Sequence, residues 1–166
     1  MYSAIAIANY FIQNALGKGV GLTNLRLQKT LWFAHATFYH DKGRRLFDDP
    51  VVAWPLGPVV PSVYYLARPY GARPISDLLT AFDLENGVHI PLVKQDDTEV
   101  NSHLADISRI LQGVETSRLV ALSHRPDGAW FKTLTDVGID PKASNLADII
   151  PRNLTILDKT IQELGK

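Results

Sequence analysis

The sequence predicts a mainly α-helical α+β fold, a helical bundle of about six or seven helices with a small β-element. Three observations carry this prediction. Apolar residues recur at helical spacing along most of the chain. Strand-like alternation is confined to two short stretches, before residue 54 and around residue 86. The 166 residues, 46% hydrophobic and 20% charged, have globular composition and suffice for one core, so we expect a single compact domain spanning residues 1–166.

Charge and cysteine content restrict the classes of function. The 17 basic and 17 acidic residues balance, so composition indicates no attraction to nucleic acid or to an anionic membrane. The absence of cysteine excludes disulfides, thiolate metal sites and a cysteine nucleophile, and it fits a cytoplasmic protein. The apolar run at residues 1–8 lacks a basic residue and is too short to span a bilayer, so we expect neither a signal peptide nor a membrane anchor.

Helical periodicity predicts two long helices at the beginning of the chain. The first runs from Ser3 to Leu16 and is ended by the glycines that follow it. Thr23 is expected to cap the second helix, which continues to about His40. The apolar face of the second helix comprises Leu27, Leu31, Ala34 and Phe38. Both helices are predicted to contribute to the core.

A rigid apolar stretch at residues 54–65 is the centre of the predicted fold. Two prolines restrict φ there and Gly57 permits positive φ, which predicts a tight turn. An extended segment at residues 51–54 leads into the turn. Pro61 and Ser62 are expected to start a short helix, with Ser62 as its cap. Because large apolar side chains crowd this stretch, we expect it to lie at a core junction or at a recognition surface.

Alternating apolar residues on both sides of Asn86-Gly87 predict a β-hairpin with a type I′ turn. An isolated two-stranded hairpin is only marginally stable in water. We therefore expect this hairpin to lie against the helices or to pair with another strand.

Several more helices are predicted in the C-terminal part. Thr98 is expected to cap a long helix, and Ser117 to start a helix that ends near His124. Asn145 and Asp148 are spaced like a capping pair for a short turn. The buried stripe of the long helix comprises Val100, Leu104, Ile107, Leu111 and Val114. The last helix is expected to start at Pro151, with a buried face of Leu154, Leu157, Ile161 and Leu164.

The histidines predict no metal site. His35 and His40 lie about 140° apart around one helix, and no acid falls at ligand spacing to either. His103 and Asp106 share a helix face and are expected to form a solvated surface pair. We expect no metal and no cofactor.

Two further groups of residues have side-chain types that could serve in catalysis or in nucleic-acid binding. Ser123 and His124 have the residue types of a nucleophile and its base, but sequence neighbours rarely adopt that geometry, so helix capping is favoured and no catalytic residue is expected. Four arginines could form a basic patch: Arg44, Arg45, Arg68 and Arg73. Scattered arginines in a neutral protein are usually solvated or locally paired, so nucleic-acid binding is not favoured.

Several segments, taken in order, resemble one protein family. They are the opening segment I-A-N-Y-F at residues 7–11, L-x-L-Q-K within residues 23–34, A-W-x-x-G-P-V within residues 53–64, and S-H at residues 123–124 with a tryptophan downstream. The order and spacing of these motifs resemble the Panacea domain, also described as the phage-associated GepA or SocA-like family, over roughly residues 3–135. The motif positions are Leu27, Gln28, Lys29, Trp32, Trp54, Gly57, Pro58, Val59, Tyr64, His124 and Trp130.

The resemblance implies an antitoxin of a two-gene toxin–antitoxin system, which acts by contact with a cognate protein toxin and not as an enzyme. For SocA-like members it also implies presentation of the toxin to the ClpXP protease, so a proteolytic adaptor is a second mechanism. The family accompanies many unrelated toxins, so neither the toxin nor the oligomeric state follows from it. The competing classes are a phage- or prophage-encoded DNA-binding regulator and a hydrolase built around His124.

The candidate partner-binding residues follow the rigid stretch: Tyr65, Arg68 and Tyr70. The apolar side chains there are too many to point inward together, and tyrosine concentrates binding energy at interface centres. Trp54 ends a predicted strand and is expected in the core instead. Tyr64 is left open between core and surface.

Overall fold

The computed structural model describes residues 1–163 and confirms the mainly helical α+β class. Within these residues the fold has eight α-helices, a short 3-10 turn at Arg68–Tyr70, and two separate two-stranded antiparallel sheets. The helices are α1 Ala4–Lys18, α2 Asn24–Lys42, α3 Pro61–Ala67, α4 Thr98–Leu111, α5 Thr116–Ser123, α6 Ala129–Asp136, α7 Leu146–Ile149 and α8 Asp158–Glu163. The strands are β1 Val52–Trp54, β2 Gly57–Val59, β3 Ala81–Asp83 and β4 Gly87–His89.

Helix α2 lies at the centre, where it packs against five other helices and strand β2. The hydroxyl of Thr23 accepts a hydrogen bond from the Arg26 N–H, and Gly43 ends the helix at φ 67°, so the predicted cap is confirmed. The predicted apolar face is fully buried. Polar side chains on other faces of α2 are buried as well, among them Gln28, Lys29 and His35. A helix that is buried on most sides needs partners for these polar groups.

The rigid stretch forms a β-hairpin, because residues 57–59 are a strand that the sequence did not predict. Trp54 pairs with Gly57, so the turn consists of Pro55 and Leu56. On its other edge β1 pairs with the C-terminal segment, where the Ala53 N–H donates to the Leu154 carbonyl at 2.8 Å. Strand β2 tolerates Pro58, which lacks an N–H, because among the described strands β2 pairs with β1 alone.

Helix α3 begins at Pro61, as predicted, but Ser62 is not its cap. The preceding residue provides no side-chain cap to α3. The Ser62 hydroxyl instead donates to the Asp49 carboxylate at 2.6 Å, and the same carboxylate accepts from the Ala4 N–H at 2.6 Å. Asp49 thus ties α3 to the start of α1.

The hairpin β3–β4 differs from the prediction in its turn. Asp83 pairs with Gly87, which leaves a three-residue loop, and Gly87 has positive φ while Asn86 does not. A type I′ turn needs positive φ at both central residues, so that prediction is wrong. The Asp83 carboxylate accepts from the N–H groups of Glu85 and Asn86 and holds the loop.

The same hairpin is attached at its base and exposed on one face. The Asn9 side chain exchanges hydrogen bonds with both main-chain groups of Leu79 and donates to the Pro91 carbonyl. The apolar side chains of the outer face are exposed: Phe82, Leu84, Val88, Ile90 and Leu92. The expected burial of the hairpin against helices is therefore not found on this face.

Two caps and one pair in the C-terminal part differ from the predictions. Asp97, not Thr98, caps α4, since its carboxylate accepts from the Val100 N–H at 3.1 Å. The Asn145 side chain forms no cap bond to α7. His103 does not pair with its predicted partner, because its Nε2 lies 2.8 Å from the Ala34 carbonyl oxygen.

The last helix begins at Asp158 and not at Pro151. Residues 154–156 pair with β1 instead, where the Ile156 N–H donates to the Val51 carbonyl at 2.8 Å. Ile161 is buried as predicted, Leu157 is exposed, and Leu164 lies outside the described residues. No helix within residues 1–163 combines the length and hydropathy that crossing a membrane requires.

Candidate functional site

The motif residues of α2 bind the main chain of the β1–β2 hairpin. Gln28 accepts from the Val60 N–H at 2.8 Å and donates to the Asn24 side chain at 3.1 Å. The Lys29 ammonium donates to the Pro58 carbonyl at 3.3 Å. The hairpin therefore obtains hydrogen bonds from side chains that lie about thirty positions earlier in the sequence.

The S-H…W motif binds the turn of the same hairpin from the other side. The Trp130 indole N–H donates to the Trp54 carbonyl at 2.7 Å, and His124 Nε2 lies 3.2 Å from the Pro55 carbonyl oxygen. The rings of His124 and Trp130 are in contact, with centroids 4.2 Å apart. Three successive motifs of the sequence thus converge on one rigid turn.

Gly57 allows these groups to approach closely. Its φ of 109° is a conformation that other residues rarely adopt. A Cβ atom at this position would lie 2.7 Å from Ser123 Oγ and 2.8 Å from Lys29 Nζ, well inside normal contact distance. The motif glycine is therefore required both by backbone conformation and by space.

Helix α2 contains two buried basic side chains, one of which lies near this turn. Burial lowers the pKa of Lys29 to about 7, and no carboxylate lies within ion-pair distance of it among residues 1–163. Burial, with the nearby Arg45 charge, lowers the pKa of His35 to about 4. Within the described residues neither ring nitrogen of His35 has a hydrogen-bond partner, and its ring packs on Phe47 with centroids 4.2 Å apart. Both bases are held against ionisation by the core.

Ser123 and His124 lie at the end of α5 with Ser123 Oγ 3.2 Å from His124 Nδ1, but the serine is buried and both atoms also contact the Val120 carbonyl oxygen. The Ser123 hydroxyl is buried and donates to the Val120 carbonyl at 2.7 Å. His124 follows the last residue of the helix, and its Nδ1 lies 2.6 Å from the same carbonyl oxygen. The capping prediction is confirmed. Within residues 1–163 no three acids or histidines cluster as metal ligands would.

Trp54 lies at the surface edge of the hairpin and not in the core, so that prediction is wrong. Its ring is half-buried and meets Tyr64 edge-on at 4.9 Å and Tyr65 at 6.1 Å. Its indole N–H donates to the Arg152 carbonyl at 2.9 Å. Although its backbone ends a strand, the side chain faces a groove.

This groove, here called the Trp54 groove, separates the start of α2 from the hairpin and α3. Its volume is about 540 Å³. Its walls include Leu25, Trp54, Leu56, Val59, Tyr64 and Arg68. The sequence did not single out Leu25 and Leu56 as candidate binding residues. Both leucines are exposed in the structure, and their place within the motif segments was the signal that the sequence offered.

The predicted partner-binding residues lie on or beside this groove. Arg68 lines it, and Tyr65 is 50% exposed beside the ring of Tyr64 at 5.4 Å. Tyr70 ends the 3-10 turn, is half-buried against the core and does not line the groove. Tyr65 and Arg68 are thus available to a partner, and Tyr70 is available only in part.

Comparison with known proteins matches the part of the chain that contains these motif residues. Residues 27–131 match the family model described as "Antitoxin SocA-like, Panacea domain". The chain belongs to this family. It is also 32% identical to Antitoxin SocA of Caulobacter vibrioides (strain NA1000 / CB15N) over 160 residues, which cover 96% of this chain and 80% of that protein. No solved structure matches the chain significantly.

The SocA-like match covers the residues that build the hairpin and most of the groove. It begins at Leu27 in α2 and ends at Phe131 in α6, so it includes every motif position named above. Leu25 on the groove wall lies just outside the match. Helix α1 and the C-terminal segment that pairs with β1 also lie outside it, although both contribute to the same core.

Proposed function

We propose that this SocA-like chain neutralises a cognate protein toxin by binding it directly through the rim of the Trp54 groove. The observation that carries the proposal is a rigid apolar groove with exposed aromatic and arginine side chains beside it. Family membership supports a toxin as the partner. In this proposal the protein acts in the cytoplasm as a binding protein and not as an enzyme.

The side chains at the rim are free to bind a partner. The hydroxyl of Tyr65 and the guanidinium of Arg68 have no hydrogen-bond or ionic partner within residues 1–163. Tyrosine, tryptophan and arginine are the residues that most often dominate interface energies. A rim of such residues is suited to protein–protein contact.

The groove is also held in one shape before any partner binds. Gln28, Lys29, His124 and Trp130 contact the main chain of the hairpin, and the C-terminal segment pairs with its outer edge. Less ordering on association leaves more of the contact energy as affinity. Preorganisation therefore supports binding as the role of this surface.

Co-expression with the toxin tests the proposal. Tyr65→Ala should weaken toxin binding about 30-fold or more, since a central aromatic contributes about 2 kcal/mol or more to an interface. Thermal melting should change little, because this side chain is half exposed. Arg118→Ala, on an exposed residue of α5 outside the groove, is the control and should neutralise the toxin fully. Full neutralisation by a double Tyr65→Ala, Arg68→Ala variant would contradict the assignment.

We propose delivery of the toxin to ClpXP as a second mechanism of the same complex. A proteolytic adaptor needs one surface for its cargo and another for the protease. The exposed apolar face of β3–β4 shares no residue with the groove and supplies a second surface. The toxin should then disappear faster in cells that contain both this chain and active ClpX. A toxin lifetime unchanged by loss of ClpX would leave sequestration as the mechanism.

A further inference from the structure

We propose that the Trp54 groove receives a short apolar segment of the toxin that carries an acidic side chain, with the carboxylate paired to Arg68. This inference rests on the proposed function and specifies the chemistry of the partner at that site. The shape of the groove, the hydrogen bonding of its floor and the charge at its rim support it.

The size and walls of the groove suit apolar side chains. Its volume of about 540 Å³ falls within the range of about 300–1,000 Å³ typical of ligand pockets. Leu25, Leu56 and the ring of Trp54 line it, and both leucines are exposed in the free protein. Covering these side chains would remove apolar surface from water, which favours an apolar occupant.

The polar groups on the floor are already satisfied. Gln28 uses its oxygen for the Val60 N–H and its nitrogen for Asn24, and the Asn24 nitrogen donates to the Tyr64 carbonyl at 3.2 Å. An occupant that presented polar groups to this floor would lose hydrogen bonds to water without gaining equivalent ones. The floor therefore selects against a polar occupant.

The charge at the rim selects the polar part of the partner. Among the described groove-lining residues, Arg68 is the one with a charged side chain. Its guanidinium has no hydrogen-bond or ionic partner within residues 1–163. A planar guanidinium binds a carboxylate through two parallel hydrogen bonds. No acidic side chain of the described residues lines the groove, so a lysine or arginine of a partner would meet a like charge. An apolar segment with an adjacent aspartate or glutamate complements both features.

A nucleic acid fits the groove less well than such a segment. Affinity for a phosphate backbone comes from several cations that neutralise successive phosphates. One arginine between apolar walls provides little of that charge. The protein partner is therefore favoured, and nucleic-acid binding becomes an outcome of the test.

Charge reversal with the cognate toxin tests the inference. Arg68→Glu should weaken toxin binding at least 30-fold, and Arg68→Lys should weaken it less because the charge remains. Arg118→Glu makes the same charge change outside the groove and should leave binding unchanged. Replacement of each toxin Asp and Glu by Lys, one at a time, should reveal one position that restores binding to Arg68→Glu. Leu25→Ala and Leu56→Ala should each weaken binding with unchanged melting temperature, because both side chains are partly exposed.

The possible results separate this inference from the proposed function. If the leucine variants weaken binding but Arg68→Glu does not, the acidic partner is wrong and the groove assignment stands. If no groove variant changes toxin binding, the toxin binds elsewhere; this inference and the groove assignment in the proposed function are then both wrong, although direct neutralisation stands. If the wild-type chain binds no toxin, both proposals fail. Single-stranded DNA bound through Arg68, in competition with the toxin, would also overturn the inference.

Discussion

Single buried polar residues explain why these motif positions carry their particular side chains. Lys29 and Gln28 lie in the most buried helix, yet their polar atoms supply the hydrogen bonds of a hairpin with short strands. Gly57 permits their approach. These motif residues are therefore in large part the internal support of the groove.

Gly57→Ala should destabilise the protein by about 2–6 kcal/mol. Non-glycine residues in such a backbone conformation are strained by about 1–3 kcal/mol, and overpacking adds about 1–3 kcal/mol. The added methyl group would meet Ser123 and Lys29 inside contact distance. Urea denaturation measures the loss.

Gly43→Ala is the matched control for this glycine. Gly43 also has positive φ. A Cβ atom added there would have no described atom within 4 Å other than those of Gly43 and its two neighbours in the chain. Only the backbone strain of about 1–2 kcal/mol should appear there. Equal losses at the two glycines would show that the contacts behind Gly57 contribute nothing.

Lys29 should make the folding stability rise with pH. Burial lowers its folded pKa from 10.5 to about 7, so between these values the unfolded chain binds more protons than the folded one. Stability therefore increases from pH 7 upwards, by at most about 1.4 kcal/mol per pH unit, and is lost as pH falls towards 7. Relative to Lys29→Met, the wild type should gain about 2 kcal/mol between about pH 7 and pH 9 in urea denaturation. The control Lys18→Met, at an exposed position, keeps Lys29 and should gain stability with pH as the wild type does.

His35 should have the same effect at lower pH. Its folded pKa of about 4 lies below the ordinary value of 6.5, so the unfolded chain binds the extra proton in that interval. Stability is fully present above about pH 6.5 and falls as pH decreases towards about 4. His35→Phe keeps the ring that packs on Phe47 and removes the titration. The melting temperature of His35→Phe minus that of the wild type should therefore be larger at about pH 5 than at about pH 7.5.

At the level of elements, the hairpin β3–β4 is stabilised at its base and not through its apolar face. Asn9, fully buried in α1, satisfies three main-chain groups on the two chain segments that flank the hairpin. The outer face is exposed, with Leu84 at 97% of its full accessibility. Contiguous exposed apolar side chains of this kind are typical of interaction surfaces.

Asn9→Ala should therefore destabilise the protein far more than Phe82→Ser. The first change leaves buried main-chain groups without partners, at about 1–3 kcal/mol for each group that water cannot reach. The second replaces a side chain that is 69% exposed and should stay within about 0.5 kcal/mol of wild type. Thermal melts of the two variants compare them directly. A large loss for Phe82→Ser would mean that the hairpin face packs more tightly than the structure shows.

At the level of the whole molecule, we predict that residues 1–166 fold as one cooperative unit. The family match starts at Leu27, but α1 contributes Ile7 and Ile12 to the core, and Ile156 pairs with β1 beyond the end of the match. A chain truncated to residues 27–131 should show no cooperative melting transition by circular dichroism, because it loses one wall of the core and one edge of the hairpin. A sharp transition in the truncated chain would place a domain boundary at its ends.

Much of the helical framework was determined by local sequence. The Thr23 cap, the apolar face of α2 and the start of α3 near Pro61 and Ser62 all followed from residues within a few positions of one another. Hydrophobic spacing and capping are local interactions, so a sequence pattern reports them reliably. The motif order likewise indicated the family that the comparisons show.

Tertiary structure decided the features that depend on distant residues. Strand β2 exists because β1, α2 and α5 supply its partners, and α8 starts late because residues 154–156 pair with β1. Trp54 ends a strand, yet its side chain lines the groove because the carbonyl of Arg152 binds its indole N–H. Main-chain groups must be satisfied wherever the fold places them, and which side chain does so cannot be derived from local spacing. Local pattern therefore determined most of the helices, and long-range hydrogen bonding determined the hairpin and the groove.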